Sequence, residues 1–67
     1  MTGDRLLAMD VIRKAMDDMR VGQSDARHFM LDREGAWAQS RTFWCEIADL
    51  DPEAAREAAL HLLASQN

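Results

Sequence analysis

Cys45-Glu46-Ile47-Ala48-Asp49-Leu50-Asp51-Pro52-Glu53-Ala54-Ala55-Arg56 contains the sharpest punctuation in the chain. Asp51 is a strong N-cap residue, and Pro52 suits the first helical position, where no N–H is needed. Glu53 then faces the positive end of the helix dipole. Leu50, just before the cap, is placed to staple onto Ala55. Asp49 tolerates the left-handed conformation that a tight turn needs, though less well than glycine. One helix therefore ends near residue 48, and another begins at Asp51-Pro52 and runs to about Ala64. In that last helix Ala55, Ala58, Ala59 and Leu62 are expected inside, with Glu53, Arg56, Glu57 and Leu60 on the opposite face.

Working outward, the helix before this turn spans about residues 36–48. Trp37, Ser40, Trp44 and Ile47 step by three, four and three, with Phe43 beside them. This stripe carries both tryptophans and is expected at the centre of the core, with Cys45 partly buried at its edge. Ser24 can cap a short helix near residues 25–32, anchored by Phe29 and Met30. Residues 4–20 form the first helix. Ala8, Met9, Val11, Ile12, Ala15, Met16 and Met19 share one arc of it, Met1 lies at its start, and Gly22 ends it. Four of the five methionines belong to this segment. Met-rich faces can serve adaptable partner grooves, but at helical spacing ordinary core is the expectation. No strand-like alternation extends beyond a few residues. The expected fold is all-α: a compact bundle of about four short helices with a helix-turn-helix-like C-terminal half, a single domain over residues 1–67. Its expected core is Ile12, Met16, Phe29, Trp37, Phe43, Trp44, Ile47 and Leu62.

At 67 residues, a chain buries only about 60% of the surface its unfolded form exposes, so its margin of stability is thin. Residues 1–45 hold seven basic and seven acidic side chains. Residues 46–67 hold Glu46, Asp49, Asp51, Glu53 and Glu57 against Arg56 alone, so the whole formal charge of −4 sits there. That segment repels polyanions unless basic residues converge elsewhere. Seven of the eight basic residues are arginine, which suits carboxylate or phosphate recognition better than lysine does. No apolar run approaches the length of a transmembrane helix, and the N-terminus lacks the pattern of a signal peptide, so a cytoplasmic location is expected. One cysteine excludes an internal disulfide framework.

Cys45, His28 and His61 are the only candidates for nucleophile, base or soft metal ligand. They are too scattered for a zinc site, and a Cys45/His61 pair would lack a third orienting group. His28 and His61 are expected on solvated helix faces. There is no glycine-rich phosphate loop and no calcium-loop pattern. The expectation is a protein without catalytic residues, metal or cofactor.

The quoted stretch looks like a helix-turn-helix, with Cys45 as the small residue of the first helix, Asp49 at the turn and Leu50 after it. Together with Ala26-Arg27-His28-Phe29-Met30 and Ser40-Arg41-Thr42-Phe43-Trp44-Cys45, it resembles a group of short helical proteins encoded by phages and prophages of proteobacteria. Their pattern is an Ala-Arg-x-Phe-Leu helix, a Ser-capped helix ending in Cys and a small residue, a Gly-Leu-Asp-Pro turn and an Arg-containing last helix. This chain has Met30 for the leucine and Asp49 for the glycine, and the likeness covers roughly residues 24–58. The resemblance implies a compact helical fold and a phage setting, hence a bacterial host cytoplasm. It carries no activity across.

Three functions fit these features. The leading one is binding to a host or phage protein through an acidic helical surface. The second is a small DNA-binding regulator or packaging accessory, whose last helix would enter the major groove. The third is a self-associating subunit, a homodimer in its simplest form. The candidate contact residues are Arg33, Arg41, Glu53, Arg56, Glu57 and Leu60.

Overall fold

The computed structural model describes residues 2–66. Four helices account for it: α1 (Thr2–Arg20), α2 (Ser24–Leu31), α3 (Ala36–Ile47) and α4 (Pro52–Ala64). Among the described residues there are no strands, and the expected all-α bundle is what forms. The expected place of Met1 lies outside the described residues.

The turns follow the residues that were expected to make them. Gly22 has φ 89°; its N–H donates to Met19 O (3.0 Å), and Gln23 N–H donates to Asp18 O (3.0 Å). The same pair of bonds recurs after α3. Asp49 has φ 61°, its N–H reaches Glu46 O at 3.1 Å, and Leu50 N–H reaches Cys45 O at 2.8 Å. Both are the Schellman arrangement, which satisfies carbonyls left over at a helix end. Asp51 caps α4 by accepting from Glu53 N–H at 3.3 Å, with Pro52 in the first turn. Ser24 differs from expectation. Gln23 is the N-cap of α2, without a side-chain cap bond, and Ser24 is the first helical residue.

Asp49 holds a conformation that glycine adopts without steric cost. Its ion pair to Arg5 at 3.9 Å lies between exposed side chains and is worth little. Asp49→Gly is therefore expected to stabilise the domain by about 0.5 kcal/mol, or ~2–4 °C in Tm. Thermal unfolding followed by circular dichroism checks this, and a lower Tm would show that Asp49 contributes something beyond the turn.

The buried cluster consists of Ala8, Ile12 and Met19 from α1, Ala26, Phe29 and Met30 from α2, Cys45 and Ala48 at the end of α3, and Ala59 from α4. Ile12 and Phe29 sit where the sequence placed them. Met16, Trp44 and Ile47 are half-buried against the cluster. Trp37 and Phe43 do not belong to the core: they are 39% and 58% exposed. The buried positions of α3 are Ala38, Arg41 and Cys45, continued by Ala48 at its C-cap, a three-four-three stripe displaced by one residue from the expected one. One residue is about 100° of helix rotation. That turn carries Trp44 and Ile47 to the flank and Phe43 outside, where it meets Trp44 edge-on (5.3 Å, 84°). Cys45 has no exposed surface and lies at the centre rather than the edge. In α4 the residues turned to the core include Arg56, Ala59 and Leu63, so Leu62 is half-buried without packing against the core cluster and Ala58 faces water. Met9, expected inside, is also exposed.

Candidate functional site

Two of the six candidate contact residues are internal. Arg41 is 3% exposed and Arg56 7%. Both point at the C-terminal end of α2, whose last carbonyls have no partners within the helix and carry its negative dipole end. From α3, Arg41 Nη1 donates to Phe29 O at 2.9 Å and Nη2 to Asp32 O at 2.7 Å. From α4, Arg56 Nε donates to Leu31 O at 3.2 Å. Two guanidinium groups thus tie the end of an eight-residue helix to the two helices that follow it.

This placement corrects the expectation that Arg41 and Arg56 offer their charges to a partner. Each stands in helical register with small buried residues: Arg41 between Ala38 and Cys45, Arg56 three positions before Ala59. That register is the signal in the sequence that identifies them as internal. Arg56 also binds outward, its Nη1 lying 3.0 Å from Glu53 Oε1 and 3.7 Å from Glu57 Oε1. It therefore partly neutralises both carboxylates from below.

The other four candidates are exposed. Glu53, Glu57 and Leu60 share one face of α4, with Leu60 39% exposed. Arg33 stands in the α2–α3 connection, where it lines a cleft of ≈ 410 Å³ together with Glu34, Gln39, Arg41, Pro52 and Glu53. Glu46, Asp49, Asp51, Glu53 and Glu57 are all exposed, and with Arg56 turned inward no exposed cation interrupts them along residues 46–66. The acidic run is thus unbroken along the chain, with Arg5 beside Asp49 and Arg33 in the cleft with Glu53 as exposed cations at its border.

Of the remaining reactive groups, His61 stands on α4 four residues after Glu57, whereas Cys45 and His28 lie on α3 and α2. Burial pushes the Cys45 thiol pKa up, against a smaller opposing pull from Arg41. His28 and His61 are exposed. His28 stacks on Trp37 (centroids 6.3 Å, 15° between planes), and its Nδ1 lies 3.1 Å from Asp32 Oδ1. Among the described residues no three His, Cys, Asp or Glu side chains are grouped to hold a metal ion, and no helix is long and apolar enough to cross a membrane. Neither a protein-family model nor a curated protein nor a solved structure matches the chain.

Proposed function

We propose that this chain is a non-catalytic interaction protein that docks onto a basic protein surface through the acidic face of α4 and the turn before it. The observation that supports this reading is the inward placement of Arg56, which leaves the outer face of α4 to Glu53, Glu57 and Leu60 with no exposed arginine or lysine on the helix itself. Glu53 and Glu57 sit one helical turn apart with Leu60 beside them, so the face offers an apolar contact within an acidic field. Such a field steers a basic partner and fixes its register. A phage protein acting on a host protein in the bacterial cytoplasm fits this role. The DNA-reading alternative loses its principal cation, because α4 would meet a groove with Glu53, Glu57 and Leu60 while Arg56 stays bound to Leu31.

The test is capture from a bacterial lysate on the immobilised chain, with and without nuclease, beside Glu53→Gln/Glu57→Gln. The expected result is a protein retained in both conditions, released by salt and lost with the double variant. Nucleic acid recovered and then lost on nuclease treatment would make DNA binding the primary reading. Capture indifferent to the double variant would remove the acidic face from the account.

A further inference from the structure

On the other side of α4, away from Glu53 and Glu57, the surface toward α1 is apolar and open. Two adjoining hollows of ≈ 520 and ≈ 280 Å³ share Ile12 and Leu50 as a common wall. Leu6 and Met9 flank the first; Met16, Ala54 and Ala58 flank the second. Leu6 is 62% exposed, and Met9 and Leu50 are each 43% exposed. Large apolar side chains gathered in one place on a small domain mark a contact surface rather than scattered exposure. The alanines of α4 leave room for a helix to approach closely.

We infer that a second copy of this chain occupies this groove, with the two α1 helices antiparallel about a two-fold axis. The charges bordering the first hollow favour this occupant. They are Asp10 and Arg13, one of each sign, three residues apart and joined at 3.0 Å. A two-fold interface is self-complementary: if residue i meets j of the second copy, j meets i. An axis passing between residues 11 and 12 sets Asp10 against the second copy's Arg13, and Arg13 against its Asp10. A partner helix carrying one sign of charge would leave one of the two opposed by its like, whereas this chain answers both. The same antiparallel register brings the Leu6 and Met9 half of one α1 over the Met16 and Ala58 end of the other groove. A standard interface takes about 800 Å² from each partner. The two hollows alone fall short of that size, so the contact must extend beyond them along the exposed face of α1. The dimer would cover Leu50 and Asp51 of the turn and leave Glu53, Glu57 and Leu60 free, so the Glu53→Gln/Glu57→Gln test of the acidic face stays separable from it.

The experiment is sedimentation velocity on the full chain over a dilution series reaching about 1 mM, the weak limit of specific association. A concentration-dependent dimer is expected. Asp10→Arg and Arg13→Asp, both at exposed positions, should each raise the dissociation constant at least about tenfold by opposing like charges across the axis. Mixing the two variants should restore dimers, because one chain then carries two cations and the other two anions at these positions. Met9→Glu should abolish association by placing a charge in the groove. Circular dichroism confirms that each variant stays helical. A chain that is monomeric throughout overturns the proposal. So does a dimer that ignores both charge variants and Met9→Glu, because its interface must then lie elsewhere.

Discussion

Arg41→Ala is expected to cost about 3 kcal/mol, lowering Tm by roughly 12–24 °C for a domain of this size. The substitution strands two backbone carbonyls. Phe29 O and Asp32 O accept from Arg41 at 2.9 and 2.7 Å. Leaving a buried acceptor unpaired costs about 1–3 kcal/mol each, and hydrogen bonds from a charged donor lie at the strong end. Against this, the variant relieves the penalty of burying a guanidinium, whose Nε has no hydrogen-bond partner among the described residues. The two effects oppose each other, and the carbonyls win. The loss matters because a 67-residue domain holds only about 3–10 kcal/mol in total. α2 is also too short to persist as a helix without its neighbours. Arg41→Lys is expected to rescue little, because a single ammonium cannot span both carbonyls as the planar fork does. Arg41→Met keeps the length of the stem and loses the bonds. Urea unfolding of the three variants separates the contributions, and a Met variant as stable as the parent would mean that the burial penalty outweighs both bonds.

The four helices were legible in the sequence because their ends are set by local chemistry. Gly22 and Asp49 adopt the left-handed backbone their positions suggest, and Asp51-Pro52 starts α4 as capping residues do. Each of these residues acts on atoms a few positions away, so the sequence contains both cause and effect. The faces of the helices were less legible because two cues conflict in α3. The aromatic stripe Trp37, Trp44 and the small-residue stripe Ala38, Cys45, Ala48 have the same spacing and differ by one position. Side-chain size favours the first; close approach of α3 to its neighbours, with Arg41 reaching the end of α2, requires the second. The polarity of arginine points Arg41 and Arg56 to the surface. Their partners are carbonyls 12 and 25 residues earlier. Only the tertiary arrangement brings those carbonyls within reach. The acidic surface was legible as composition, whereas the lack of an exposed arginine on α4 depends on where Arg56 points.

The same conflict makes Met30→Ala the more damaging of two core tests, although phenylalanine is the larger side chain. Met30 has no exposed surface and packs in the cluster with Ile12, Met19 and Phe29. Truncating a buried methionine to alanine costs about 2–5 kcal/mol, combining lost transfer energy with the cavity left behind. Phe43 is 58% exposed, and its defined aromatic contact is the edge-on approach to Trp44. An aromatic pair of that kind is worth about 0.5–1.5 kcal/mol beyond area, and little apolar area returns to water when the ring is already outside. Phe43→Ala is therefore expected to cost about 1 kcal/mol. Trp44→Ala should fall between the two, because its half-buried indole gives up part of the 3–5 kcal/mol that a fully buried one would forfeit. Chemical denaturation of the three variants gives the order directly. If Phe43→Ala matched or exceeded Met30→Ala, the aromatic stripe would be the true inner face of α3. Arg41 would then have to lie at the surface, and Arg41→Ala would cost little. The two experiments thus constrain a single rotation of α3, and its buried stripe requires both large losses, at Met30 and at Arg41, with a small one at Phe43.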